Sequence, residues 1–130
     1  MALMRFRESN KMKWRGSRPA HDGTQVGGEA WTTDALEIVY LTGAGETFYC
    51  HYVSMCARTL TPGDTAFVSL YDAGPLRVFH LIRMFFDVAG QMIHCAPFTF
   101  PVEVPSGWSI RVFSSAASID ATAEAIGWIE

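Results

Sequence analysis

The run Trp108-Ser109-Ile110-Arg111-Val112-Phe113-Ser114-Ser115, with Ser118-Ile119-Asp120-Ala121-Thr122-Ala123-Glu124-Ala125 behind it, decides the fold class. In the first stretch Trp108, Ile110 and Val112 alternate with Ser109, Arg111 and Phe113. In the second, Ile119, Ala121, Ala123 and Ala125 alternate with Ser118, Asp120, Thr122 and Glu124. A period of two places each set on its own face of an extended strand. Ala and Glu favour helix, but no capping residue and apolar stripe agree at a period of 3.6, so residues 117–129 read as a strand. Its alanine face lets another layer approach closely, either a facing sheet or a neighbouring protomer.

Working back toward the N-terminus, short apolar runs alternate with turn chemistry. Residues 35–41 and 47–57 flank Gly43-Ala44-Gly45 and read as a hairpin, the second run being long enough to carry a bulge. There Phe48, Cys50, Tyr52, Ser54 and Cys56 are expected on one face, with Tyr49, His51, Val53, Met55 and Ala57 on the other. Thr61-Pro62-Gly63-Asp64 and Asp72-Ala73-Gly74-Pro75 are turns around a strand over residues 66–71. Residues 76–86 read as a strand from Val78, Phe79, Ile82, Phe85 and Phe86. A strand follows at residues 91–94, and Pro97, Pro101 and Pro105 confine residues 98–104 to a sheet edge, because proline donates no hydrogen bond. The expectation is an all-β chain: a single antiparallel β-sandwich or jelly roll over residues 31–130, preceded by an extended arm over residues 1–30.

The charge distribution separates those two parts. Arg5, Arg7, Lys11, Lys13, Arg15 and Arg18 against Glu8 give residues 1–18 a net charge of +5, while residues 19–130 carry four arginines and 12 carboxylates, net −8. With Phe6 and Trp14 as apolar anchors, this basic segment has three readings: a solvated terminus, an arm ordered on contact with an acidic neighbouring protein, or a nucleic-acid binder. The acidic body opposes the approach of phosphate, which disfavours nucleic acid. A hydrophobic fraction of 49% in 130 residues excludes disorder for the body and leaves more large apolar side chains than a small monomer easily hides. Self-association is therefore expected, a trimer being one such assembly, with Trp108, Ile126, Trp128 and Ile129 at the oligomer interface. No apolar stretch is long enough to span a bilayer as a helix, and no apolar core of a signal peptide follows the basic start.

The stretch Phe100-Pro101-Val102-Glu103-Val104-Pro105-Ser106-Gly107, continuing into Trp108–Ser115 and the last strand, resembles a pattern near the C-terminus of small structural proteins of tailed bacteriophages. The likeness covers about 30 of the 130 residues. It implies a virion component, assembled in the host cytoplasm: a head decoration or cement protein, or a tail-associated module. The implied partner is the major capsid protein or another virion protein; on the charge reading above, the arm would meet it through Arg5, Phe6, Arg7, Lys11, Lys13, Trp14, Arg15 and Arg18. A resemblance of architecture carries over no functional residue.

Catalytic signatures are weak. Cys50 and His51 are adjacent, which sends their side chains to opposite faces of a strand. The serines lie in ordinary strand positions without a nucleophile elbow, the acids are scattered over turns, and Gly43-Ala44-Gly45 lacks the Lys-Ser/Thr of a phosphate-binding loop. His51, His80 and His94 fall on strands, as in metal-binding jelly rolls, and His80, His94 and Cys95 would make a zinc cluster if their strands met. The spacing of such a site is missing, so no enzyme activity and no cofactor are expected. Cys50 and Cys56 lie about 20 Å apart on one strand, at about 3.3 Å per residue, too far to bridge. The alternative to a structural protein is a ligand-binding jelly roll, a carbohydrate-binding or tail receptor-binding module using Trp31, Tyr49, Tyr71 or Trp108, with a cupin-like metalloenzyme behind it.

Overall fold

Period-two patterning becomes strand almost throughout. The computed structural model describes residues 14–15, 18–19, 24–33, 35–59, 62–115 and 119–130, and among these are ten strands and no helix. Strands β1 (Trp14–Arg15) and β2 (Arg18–Pro19) form a small two-stranded ladder. The body comprises β3 (Thr24–Thr32), β4 (Leu36–Leu41), β5 (Phe48–Thr59) and β6 (Asp64–Tyr71). It continues with β7 (Arg77–Phe86), β8 (Gly90–Val104), β9 (Ser109–Ser114) and β10 (Ile119–Ile129). These make two four-stranded antiparallel sheets, the first ordered β4-β9-β6-β7 and the second β3-β10-β5-β8.

The pairings nest. Strand β3 pairs with β10, β4 with β9, β5 with β8, and β6 with β7, so the chain is one long antiparallel ribbon rolled over on itself. Its tip is the turn after Tyr71, where Asp72 Oδ1 accepts hydrogen bonds from the backbone N–H of Gly74 (2.8 Å) and Leu76 (2.7 Å). Those two donors, Leu76 first, hold the Asp72 carboxyl below the usual carboxylate range. At the turn before β9, the Trp108 N–H donates to the Pro105 carbonyl (2.9 Å) and Gly107 takes φ +81°.

Between the sheets lies one continuous apolar cluster, a sandwich-like arrangement. Val68, Ile82, Ile110 and Val112 enter from the first sheet, and Phe48, Val53, Met55 and Ile119 from the second. The alanine face of β10 is resolved in favour of the facing sheet: Ala121, Ala123 and Ala125 are buried in this cluster. Small side chains there let the sheets close over the larger residues opposite.

Three expectations change. Strands β4 and β5 are not a hairpin, since they belong to different sheets. The residues between them cross from one sheet to the other, tied by Thr42 Oγ1 donating to the Val104 carbonyl (3.0 Å) and by mutual backbone bonds between Thr47 and Glu130. Second, the faces of β5 swap. Phe48 and Cys50 point inward, the register slips between Cys50 and Tyr52, and Val53, Met55 and Ala57 are the buried residues thereafter. A bulge adds one residue and so inverts the alternation. Third, the sheet begins at Thr24, seven residues before the expected boundary at residue 31, because β3 pairs along β10 from Thr24 opposite Ile129 to Thr32 opposite Ala121. The proline-bearing stretch forms, with residues 90–97, the single strand β8, which lies at a sheet edge as proline requires.

Candidate functional site

The inward positions of the first sheet are filled by the core, so its outward positions define a face of their own. Register places them in rows across the four strands. Leu41, Ser109, Tyr71 and Arg77 form one row, and Ile38, Arg111, Ser69 and His80 the next. Leu36, Phe113, Phe67 and Arg83 form the third. The face is graded from side to side: aliphatic along β4, mixed along β9 and β6 with Phe113, Phe67, Tyr71 and Arg111 among serines, and cationic along β7.

Its parts are locally ordered. The Phe67 ring lies 5.0 Å from Phe113 and 4.6 Å from His80, the latter edge-on, and the Arg77 guanidinium carbon stands 5.4 Å from its centroid. Arg111 lies over Tyr71, 5.7 Å from centroid to guanidinium carbon, and its Nε donates to Ser109 Oγ (2.9 Å). A cation over an aromatic ring is worth about 0.5–1 kcal/mol at an exposed site, enough to hold a long side chain flat against the sheet. Even so, Leu41 is 52% exposed, Ile38 43% and Phe85, one row further along β7, 57%. Three of the four arginines in residues 19–130 stand on this one face, a segregation within a strongly acidic segment.

Ser69 Oγ and His80 Nδ1 are hydrogen-bonded at 2.7 Å. The pair has the separation of a nucleophile and its base, but Ser69 is fully buried, so its hydroxyl is closed to a substrate. Burial, and then the charges of Arg77 and Arg83, push the His80 pKa below the ordinary imidazole value.

The residues expected at an oligomer interface do not form an exposed patch. Trp128 is only 4% exposed: it stacks on Tyr49 (5.6 Å) and lies beside His51 (5.7 Å), and its Nε1 donates to Glu130 Oε2 (3.2 Å). Trp108 and Ile129 are half-buried against the core, and Ile126 is half-buried opposite Tyr52. An amphipathic ring at a strand end finds cover within its own sheet before it needs a partner. Of the aromatics proposed to meet a ligand, Trp31 is 60% exposed, whereas Tyr71 is buried and Tyr49 and Trp108 are half-buried.

Arg5, Phe6, Arg7, Lys11, Lys13 and His21 lie outside the described residues. The backbones of Trp14, Arg15 and Arg18 belong to the β1–β2 ladder, Arg15 opposite Arg18. His51 and His80 stand on different sheets, His94 and Cys95 on β8 at the register positions of Met55 and Ser54. Among the described residues no group of three or more His, Cys, Asp or Glu is placed to hold a metal ion.

The graded face is hidden in the sequence because the inward alternation of its strands marks only the core positions. The signal was present in Phe67, Tyr71 and Phe113, large aromatics at positions where a solvated sheet face carries polar residues. No protein-family model matches this chain, and no curated protein is similar to it.

Proposed function

We propose that this protein is a non-enzymatic structural component that works by association, an oligomeric jelly roll that attaches to and stabilises a larger particle. The observation that carries the reading is the outer face of the first sheet, where exposed aliphatic side chains, a ring cluster and three arginines share one surface. Aromatic residues and arginine are the side chains enriched at the cores of protein interfaces. The strand order supports the finer architecture: eight strands nested as four antiparallel pairs, with every consecutive pair except β6–β7 passing between the sheets, is the pattern of a rolled-up jelly roll.

The resemblance in residues 100–115 makes a tailed-phage virion the particle of choice, with the basic N-terminal segment as a second contact element. The reading is tested by mixing the full-length protein with tailed-phage particles and measuring co-sedimentation. Binding that is lost on Arg77→Glu with Arg83→Glu, or on reversing the charges of Arg5, Arg7, Lys11 and Lys13, is the expected result. A chain that ignores particles and other proteins but binds a glycan on an array overturns it.

A further inference from the structure

We propose that the arginine–aromatic face of the first sheet docks onto the acidic outer face of the second sheet of another copy of this chain, so that copies associate head to tail. The inference rests on the association reading above and names the partner of that face.

The complementary surface is on the same molecule. Glu29 of β3 and Glu124 of β10 are direct cross-strand partners, and both are exposed. Like charges directly opposite one another destabilise a sheet unless something neutralises them. On the same outer face Asp120 is neutralised by an ion pair with Arg58, the one body arginine absent from the first sheet's face, whereas Glu29 and Glu124 have no ion-pair partner among the described residues. Beside them, where Gly27 and Gly28 run along β10, lies a groove of about 340 Å³ lined by both carboxylates, Ala125 and Ile126. Trp31 stands one row along, 60% exposed. A guanidinium entering this groove would meet two carboxylates and an apolar rim, which is the chemistry that Arg77 and Arg83 present with Phe67 and Phe85 around them.

The other occupants fit less well. The three rows described above hold no carboxylate, so a two-fold pairing of the arginine face with itself offers its guanidinium groups no counter-charge from those rows, which is unfavourable. The basic segment over residues 1–18 has the same sign as the β7 stripe and is repelled by it. Size also bears on the outcome. Four strands at about 4.8 Å spacing and about six residues at 3.3 Å make a footprint of roughly 400 Å², half of the roughly 800 Å² per partner of a stable complex. The contact is therefore weak and concentration-dependent. Because its two halves lie on opposite sides of one chain, it is heterologous and extends past a dimer.

The test uses full-length protein and its mass in solution by sedimentation velocity across a hundredfold range of concentration. Wild type should rise above 14.4 kDa with concentration and return toward it in 1 M salt. Arg77→Glu with Arg83→Glu, and separately Glu29→Arg with Glu124→Arg, should each weaken association at least tenfold. An equimolar mixture of the two variants should recover it to within about threefold, since each then offers the face the other lacks, and recovery also shows that both fold. If either variant fails to fold by circular dichroism, Arg83→Gln and Glu124→Gln replace it, each with a smaller weakening expected. A wild type that stays monomeric throughout, or a mixture that fails to recover, overturns the inference. If the arginine variant alone loses particle binding while wild type is monomeric, the association reading survives and this partner is wrong. If neither property changes in that variant, both are wrong.

Discussion

His51 and His80 each sit where the charged imidazole is disfavoured. For both, burial is the leading cause of a lowered pKa, and at His80 Arg77 and Arg83 add to it. A native pKa below the ordinary value of about 6.5 means that the unfolded chain binds more protons as pH falls. The stability these histidines permit is complete above that value and is lost progressively as pH drops through it toward the lower native values. Melting temperature should therefore fall between pH 7 and pH 5, and His51→Phe with His80→Asn should flatten that slope. His51 Nδ1 is buried without a hydrogen-bond partner, so exchanging this ring for Phe beside Trp128 removes a polar atom that gains nothing from folding. An unchanged pH slope in the double variant would argue against the account. The thiols divide in the same physical way. Burial pushes the Cys50 thiol up to about 11, whereas Cys56 is half-buried with its Sγ accepting from Gln91 Nε2 (3.4 Å). Alkylation of native protein at pH 8 followed by mass mapping should label Cys56 and leave Cys50 untouched until the chain unfolds. Equal labelling of the two would contradict the burial of Cys50.

At the scale of elements, strand β3 is the instructive one. Gly27-Gly28 reads in sequence as loop, because glycine has low strand propensity and marks turns. In the fold the two glycines sit in mid-strand, and Gly28 is required by a close approach: a Cβ there would stand 2.1 Å from the Val39 carbonyl oxygen, where β3 of one sheet meets β4 of the other. The glycine thus closes the open edge of the two layers. Gly28→Ala should destabilise by about 1–3 kcal/mol, the range for forcing extra atoms into a packed site, as measured by denaturant midpoint. A neutral result would mean that β3 can shift away from β4. Other elements were legible. Strand β10 carried its buried face openly in Ile119, Ala121, Ala123 and Ala125, and β8 declared its edge position through Pro97 and Pro101. The face assignment of β5 failed beyond Cys50 because the bulge is set by its pairing with β8 and β10, and no residue type in Cys50-His51-Tyr52 announces it.

For the whole molecule, the nested pairing joins the first and last strands of the two sheets: Thr24 of β3 is the partner of Ile129 of β10. Strand β10, one of the two central strands of the second sheet, pairs with β3 and β5 far back in the chain, so its pairings must close very long loops before they return any stabilisation. Refolding from denaturant should take milliseconds to seconds, the range of non-local all-β domains. A sub-millisecond phase that recovers all native fluorescence would contradict this ordering. Charge is arranged on the same scale. The first sheet turns three arginines outward, and the second turns out Glu29 and Glu124, so an overall negative body has one positive side. Composition records only the sum.

The sequence by itself determined where most strands and turns of residues 35–130 fall. Period-two alternation and Pro, Gly and Asp at turns act over a few residues, and such local chemistry does not depend on what packs against it. Only the tertiary structure decided that β4 and β5 part into different sheets, that β3 joins the body, that Trp128 is covered by Tyr49 and His51, and that Phe67, Phe113 and three arginines gather on one outer face. Each of these depends on register between strands distant in the chain and on bulges that invert a face, and neither is written in any local pattern.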